Sequence, residues 1–171
     1  IYYRQNDFHK AAKHFQKVIT RYNSSDLLPE VSFSLASSYY QLAEYRKSYI
    51  VLRKINEGDT SSPLRLKIYY LLAKNAQNLN AHYQSILWYL KARKISKNKN
   101  NVAKINNEVV KLIEERLTKE ELLSLADKFS GKFPSSYINY KLGKEYFQNL
   151  NPEQAKFYLD KLMKSKGANT L

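Results

Sequence analysis

One feature of this 171-residue sequence, an internal repeat of about 37 residues, restricts most strongly what the chain can fold into. Aromatic or apolar residues recur at equivalent places, 37, 37, 37 and 33 residues apart: Tyr2, Tyr39, Ala76, Ile113 and Tyr146. Nine residues after all but the fourth of these places lies a small residue: Ala11, Ser48, Ser85 and Ala155. Such a period indicates supersecondary units that bury their apolar faces against their neighbours.

Within each repeat, apolar residues lie three or four positions apart in two runs separated by a short polar break. This spacing is the signature of amphipathic helices, so each repeat is predicted to be an antiparallel helix pair and the fold class to be all-α. Helices are expected at about residues 7–22, 28–43, 46–57, 64–79, 82–96, 101–116, 119–130, 135–149 and 152–166.

Small residues are predicted to let the two helices of a pair approach closely, with Ala36, Ala73 and Gly143 facing Ser48, Ser85 and Ala155. Candidate helix N-caps are Asp26, Ser62, Thr118 and Asn151. Thr118 and Glu121 have the spacing of a capping box.

These patterns resemble the tetratricopeptide repeat (TPR) family, whose pattern is W-x2-L-G-x2-Y, then A-x3-F, then a closing proline. Leu142-Gly143, Tyr146 and Ala155 follow it, and Pro134 matches the closing proline. The resemblance implies a TPR-like α-solenoid, a right-handed superhelix of antiparallel helix pairs. We expect a single domain over residues 1–171, with units at about 1–24, 27–60, 64–99, 101–132 and 135–167, in a fragment of a longer protein. At the positions of the A-x3-F pattern the fourth unit has Leu122 and Ala126, so the large residue precedes the small one. This exchange predicts altered packing in the fourth unit.

In the TPR family, ligands dock on the concave surface formed by the first helix of every pair. The repeat phase assigns to that surface a row of aromatic, lysine and amide residues: Phe33, Ser37, Tyr40, Gln41, Lys67, Tyr70, Lys74, Gln77, Asn78, Tyr140, Lys144 and Phe147. Tyr3 and Arg4 extend the row at its start, and Lys104 continues it in the fourth unit.

Aromatic rings interleaved with lysines and amides suit an extended peptide. The resemblance therefore implies a non-catalytic protein-protein interaction scaffold with a protein or peptide partner. The alternative is that the rings pack between adjacent first helices. The carboxylate clamp of chaperone-binding members is not matched, because Phe33, Tyr70 and Tyr140 occupy the places of its first lysine.

The segment Leu117-Thr118-Lys119-Glu120-Glu121-Leu122, followed by Phe133-Pro134 and Leu142-Gly143, resembles the helical region of bacterial cell-envelope proteins such as penicillin-binding-protein activator lipoproteins. This resemblance implies a bacterial periplasm or cell envelope rather than the cytoplasm. It also implies a role in envelope assembly.

The net charge of +14 is concentrated in residues 60–107, which carry nine basic side chains and no acidic one. A basic patch is predicted at Lys91, Arg93, Lys94, Lys97 and Lys99. The alternative function is therefore the binding of a polyanion, either a nucleic acid or an anionic surface, through this segment. An AT-rich genome would produce the same abundance of lysine without any such function.

The residues available for catalysis predict no enzyme. The chain has no cysteine, which excludes a thiol nucleophile and a cysteine-based zinc site. His9 and His14 lie five residues apart, a poor spacing for shared ligation on a helix, and His82 stands alone. No His-Glu-x-x-His or Gly-x-Ser-x-Gly motif is present, so no metal and no cofactor are expected. No apolar run approaches the roughly 18 residues of a membrane span.

Overall fold

The computed structural model describes residues 2–3, 5–22, 25–57 and 61–167, and every regular element within them is an α-helix. The predicted all-α class is therefore confirmed. The nine helices in these ranges are α1 (Phe8–Arg21), α2 (Leu28–Gln41), α3 (Tyr45–Glu57), α4 (Ser62–Asn78), α5 (His82–Ile95), α6 (Lys99–Glu115), α7 (Lys119–Lys128), α8 (Ser135–Gln148) and α9 (Pro152–Gly167). Each helix begins and ends within two residues of its predicted range.

The helices form two compact units, residues 1–105 and residues 106–171, with the boundary inside α6. In the first unit, consecutive helices from α1 to α5 pack against one another, and α2 also packs against α4. In the second unit, α7 packs against α8 and α8 against α9. None of the helices described is long and apolar enough to cross a membrane.

Contacts between α4 and α5 show that these helices are antiparallel. The Ser85 hydroxyl, at the start of α5, donates a hydrogen bond of 2.9 Å to the backbone carbonyl of Ala73 in the later half of α4. Farther along α5, the Tyr89 ring meets the Tyr70 ring edge to face at 5.6 Å. Ala73 and Ser85 are both fully buried, so the close approach predicted for this pair is confirmed.

The α8–α9 pair depends on a glycine. A Cβ atom on Gly143 would lie 2.9 Å from Cγ and Cδ2 of Leu159 and 3.6 Å from the carbonyl oxygen of Ala155. Nearby, the Tyr146 and Tyr158 rings stack at 5.7 Å with an interplanar angle of 6°. The predicted close approach of Gly143 and Ala155 is confirmed.

The turns after four of the five repeat places, all but the fourth, have the same geometry, which is a Schellman motif. Its residue with positive φ lies four positions after a repeat place: Asn6, Ala43, Asn80 and Leu150 have φ of 59°, 58°, 58° and 56°. In each turn the N–H of the next residue donates to the carbonyl of the repeat place: Asp7 to Tyr2, Glu44 to Tyr39, Ala81 to Ala76 and Asn151 to Tyr146. The repeat found in the sequence thus coincides with a repeated backbone geometry.

The fourth repeat place departs from this geometry. Leu117, the corresponding residue, does not adopt positive φ, and Thr118 after it is extended with φ −74° and ψ 163°. Thr118 and Glu121 instead form the predicted capping box: the Thr118 hydroxyl accepts from the N–H of Glu121, and Glu121 Oε2 accepts from the N–H of Thr118. The turn of the fourth unit therefore differs from the other four, whereas the altered packing predicted from Leu122 and Ala126 stays a prediction.

Among the other predicted caps, the Asn151 side chain accepts a hydrogen bond from the N–H of Gln154 at 3.2 Å, which confirms it. The prediction of Asp26 is wrong, because Leu27 occupies the N-cap position of α2 and the Ser25 hydroxyl accepts from the N–H of Leu27. The prediction of Ser62 is also wrong, because α4 begins at Ser62 and Ser61 is its N-cap.

Replacing Leu150 by glycine is expected to stabilise the second unit. Its side chain is 91% exposed and its φ is 56°, so the substitution removes steric strain of about 1 kcal/mol while losing little packing. Urea unfolding should show this gain for Leu150→Gly. Leu150→Ala keeps the Cβ atom and is the control; an equal gain there would show that strain is not the cause.

Replacing Gly143 by leucine is expected to destabilise the α8–α9 pair by about 1–3 kcal/mol, because the new side chain would overlap Leu159. Thermal unfolding of Gly143→Leu, Leu159→Ala and the double variant would measure the effect. Removing the Leu159 side chain should recover part of the loss in the double variant. Strictly additive losses would contradict the close approach.

Candidate functional site

A groove of about 730 Å³ opens within the first unit. Three helices, α2, α4 and the start of α6, supply nearly all of its lining, and a residue ahead of α1 completes it. The lining residues are Tyr3, Phe33, Ser37, Gln41, Pro63, Leu66, Lys67, Tyr70, Leu71, Asn101, Lys104 and Ile105.

Helical spacing explains how these residues come to share one surface. Phe33, Ser37 and Gln41 lie at successive intervals of four on α2, so they form a single row along that helix. On α4, Lys67 is followed by Leu71 one turn later. Since α2 packs against α4, the two rows lie side by side and form adjacent walls.

Tyr70 is held in place by its neighbours. Its ring is half-buried and meets the edge of the fully buried Tyr89 ring from α5. The ammonium group of Lys74, one turn farther along α4, lies 5.6 Å from the centre of the Tyr70 ring. An aromatic ring fixed by such contacts offers contact area to a ligand at a low cost in side-chain entropy.

The groove combines apolar walls with two cations. Phe33, Leu66, Tyr70 and Leu71 are half-buried and Ile105 is buried, whereas Lys67 and Lys104 are exposed. No carboxylate is among the lining residues. Ser37, Gln41 and Asn101 add hydrogen-bonding groups, so the surface offers apolar contact, donors and acceptors, and positive charge together.

Of the twelve residues predicted for a partner-binding surface, five line this groove: Phe33, Ser37, Gln41, Lys67 and Tyr70. Tyr3 and Lys104, which extend the predicted row, line it as well. Arg4 lies outside the described residues. The groove thus brings together members of the row from the second and third repeats, together with Tyr3 of the first and Lys104 of the fourth.

Three of the other four predicted residues of α2 and α4 contact neighbouring helices. The Tyr40 ring meets the Tyr45 ring of α3 at 5.4 Å, and its hydroxyl accepts a long hydrogen bond of 3.5 Å from the Asn78 amide. Gln77 Oε1 accepts from the Tyr89 hydroxyl at 3.5 Å. These three residues connect neighbouring helices, whereas Lys74 contacts the Tyr70 ring of its own helix. None of the four is among the groove lining.

The remaining predicted residues, Tyr140, Lys144 and Phe147, belong to α8 in the second unit. All three are exposed; the exposed fraction is 53% for Tyr140 and 70% for Phe147. Tyr137, which is also exposed, lies one turn before Tyr140. Together they form an aromatic and cationic stripe along one face of α8.

Five lining residues were not predicted: Pro63, Leu66, Leu71, Asn101 and Ile105. Three of them lie on α4 within four residues of Lys67, so a wider stripe around the predicted row would have included them. Asn101 and Ile105 flank Lys104 on α6, and their contribution depends on how α6 packs, which the repeat phase does not specify.

The predicted basic patch divides into two kinds of side chain. Lys91 is engaged with aromatic rings: its ammonium group lies 4.2 Å from the centre of the Trp88 ring and 5.9 Å from that of Tyr69. Arg93 is half-buried. Lys94, Lys97 and Lys99 are exposed, as Lys91 is, and no carboxylate of the described residues forms an ion pair with them.

The cation-binding aromatic cluster is well packed. Trp88 is only 3% exposed, and its indole N–H donates to the Tyr49 hydroxyl at 3.1 Å. The Tyr69 ring stacks on Trp88 at 5.7 Å, and the Arg53 guanidinium lies 5.7 Å from the Trp88 ring. Lys91 therefore covers a buried ring and contributes to stability.

Across the residues that the structure describes, no three His, Asp or Glu side chains come together in a way that could hold a metal ion.

Comparison with known proteins gives a likeness in fold. No family model matches the chain, and no curated protein matches its sequence. Among solved structures, the chain is similar to the crystal structure of BtubC (BKLC) from P. vanneervenii, with a TM-score of 0.55 and 17% identity. The match covers 99% of this chain and 77% of that one. At this identity the likeness concerns the fold alone.

Replacing Lys91 by methionine is expected to lower the free energy of unfolding by about 0.5–1 kcal/mol, because the substitution removes the cation above Trp88 but keeps an apolar side chain. Lys94→Met, which removes an exposed lysine of the same helix, is the control and should leave stability unchanged. Denaturant titration followed by the fluorescence of Trp88, the only tryptophan, would measure both. Equal effects of the two substitutions would contradict the structural role of Lys91.

Proposed function

We propose that this protein is a non-catalytic interaction scaffold that binds an extended peptide segment of a partner protein in the groove of the first unit. The observation that carries the proposal is the composition of the groove: fixed aromatic rings, two lysines and three polar side chains line one continuous surface. Peptide ligands need such a combination, because rings supply apolar contact while amides and hydroxyls pair with the peptide backbone.

The alternative interpretation, that the rings only pack between first helices, fits Tyr40 better than Phe33 or Tyr70. Tyr40 contacts a neighbouring ring and an amide and does not line the groove. Phe33 and Tyr70 are half-buried and do line it, so part of each ring remains accessible to a ligand. We assign the binding role to the latter two.

We also propose that the helix pairs belong to a TPR-like α-solenoid, a right-handed superhelix. The recurring Schellman turn supports this, since it appears in both units at the spacing of the sequence repeat. The packing of α2 against α4 supports it too, because first helices of successive pairs are neighbours in such an arrangement. On this proposal, the groove lies on the concave surface of the first unit.

The biological setting that we propose is the bacterial periplasm or cell envelope, with a role in envelope assembly. Support comes from the resemblance of residues 117–122 and the repeat that follows them to the helical region of envelope proteins.

A second candidate function is the binding of a polyanion through residues 60–107. Its support is the exposure of Lys94, Lys97 and Lys99 without carboxylate partners among the described residues. Such binding would weaken steeply with salt, because neutralised phosphates release counterions. Peptide binding in an apolar groove would persist at moderate salt.

The test is selection of binders from a displayed library of random peptides, followed by affinity measurement with the double variant Phe33→Ala/Tyr70→Ala. Loss of two central aromatic contacts is expected to weaken the selected peptides at least about tenfold. The control is Tyr22→Ala/Phe157→Ala, which removes two exposed rings that do not line the groove. Circular dichroism should show the same helix content for both variants.

Two results would contradict the groove assignment. One is selection of peptides whose affinity both double variants leave unchanged. The other is the absence of any selected peptide together with tight, salt-sensitive binding of heparin, which would favour the polyanion function.

A further inference from the structure

We propose that the groove selects an acidic segment of the partner, in which two carboxylates flank an apolar side chain that points in the same direction. This inference rests on the proposed function, since it specifies the chemistry of the peptide that the groove binds. It follows from the charges of the lining residues, their apolar content and the repeat that positions them.

The charged side chains that line the groove are all positive. Lys67 and Lys104 line it, both are exposed, and neither has an ion pair among the described residues. The corresponding residue one repeat earlier is Glu30, which is not among the lining residues. A ligand with carboxylates would therefore complement the two lysines, whereas a basic ligand would be repelled.

The two lysines occupy equivalent places in successive repeats, 37 residues apart. They lie on α4 and α6, the first helices of two consecutive pairs. Both helices contribute to the lining of the same groove. Two helices that border one groove are expected to lie at least about 8–10 Å apart, the axial distance of packed helices, and the four-carbon stem of lysine extends the reach of each ammonium group. The lysines are thus suited to two carboxylates separated by roughly one helix spacing or slightly more.

An extended peptide meets this spacing with a simple pattern. Side chains of an extended chain alternate in direction and rise about 3.3 Å per residue, so residues i, i+2 and i+4 point the same way over about 13 Å. Acidic residues at i and i+4 would reach the lysines. An apolar residue at i+2 would lie against the apolar walls formed by Phe33, Leu66 and Tyr70.

The apolar walls favour a peptide over a polyanion at this site. Four half-buried apolar side chains line the groove, and covering what remains exposed of them requires an apolar group from the ligand: Phe33, Leu66, Tyr70 and Leu71. A sulfated or phosphorylated polymer offers none. The exposed lysines Lys94, Lys97 and Lys99, which would attract such a polymer, do not line the groove.

The experiment uses four fluorescein-labelled decapeptides in fluorescence polarisation. The first has the core Glu-Ser-Phe-Ser-Glu, the second Gln-Ser-Phe-Ser-Gln, the third Lys-Ser-Phe-Ser-Lys and the fourth Glu-Ser-Ser-Ser-Glu. The first is expected to bind at least about tenfold more tightly than each of the others, since two charge-assisted contacts and one buried ring distinguish them.

Charge reversal in the protein provides the matched test. The affinity of the variant Lys67→Glu/Lys104→Glu for the Glu-Ser-Phe-Ser-Glu peptide should fall by more than about tenfold, and its affinity for Lys-Ser-Phe-Ser-Lys should rise. The control, Lys94→Glu/Lys97→Glu, changes the net charge by the same amount outside the groove and should leave the preference for the acidic peptide intact. Heparin is included as a polyanion without an apolar group.

The outcomes separate this inference from the proposed function. If the library yields peptides that depend on Phe33 and Tyr70 but are neutral or basic, the scaffold function stands and the acidic preference is overturned. If both charge reversals weaken the acidic peptide equally, or the serine-centred peptide binds as well as the phenylalanine-centred one, long-range charge is responsible and the inference is overturned. If no peptide depends on Phe33 or Tyr70, the proposed function falls and the inference with it.

Discussion

A single backbone conformation recurs at the corners of this fold and determines where its helix pairs turn. After α2, α4 and α8, and ahead of α1, one residue with φ between 56° and 59° ends the preceding turn, and the next N–H donates to the carbonyl five residues before it. Asparagine tolerates this conformation at two of the four places, whereas Ala43 and Leu150 adopt it at a cost in steric strain. The second helix of each pair therefore starts at a fixed number of residues after the repeat place, which fixes the faces that the two helices present to each other. Fully buried Ser85 against Ala73, and Gly143 beneath Leu159, are the consequence.

The candidate site depends on the same constraint. Because the turn keeps successive repeats in phase, equivalent positions of α2, α4 and α6 lie on corresponding faces, and residues such as Phe33 and Tyr70, or Lys67 and Lys104, recur 37 positions apart along one groove. A second helix supports the groove through its buried side: the ring of Tyr89 on α5 is fully buried and meets the Tyr70 ring edge to face, which fixes Tyr70. Lys91 of α5 lies over Trp88, away from the groove lining, and stabilises the fold. Positive charge on this chain thus has at least two roles, one in packing and one proposed in binding.

The sequence was informative where a strong local signal decides the structure. Apolar residues at helical spacing predicted all nine described helices within two residues, and the Thr118 capping box formed as its spacing indicated. Asp26 failed as a cap because α2 begins at Leu28, which puts Leu27 in the N-cap position, and the spacing of apolar residues does not fix a helix start to one residue. The repeat phase placed Phe33, Ser37, Gln41, Lys67 and Tyr70 on one surface, and they line the groove. It could not separate them from Tyr40, whose ring contacts Tyr45, or include Ile105, because tertiary packing decides those contacts.

The central claim is that an extended peptide lies against the first helices of the first unit. Isotope-filtered NMR of the labelled chain with an unlabelled peptide selected from the library would test it most directly. We expect nuclear Overhauser contacts from the apolar side chain of the peptide to the Phe33 and Tyr70 rings and to the Leu66 and Ile105 methyl groups, all of which line the groove. Contacts confined to the Trp88 and Tyr69 cluster, or to Val18, Tyr22 and Leu27 beside the α1–α2 connection, would contradict the account.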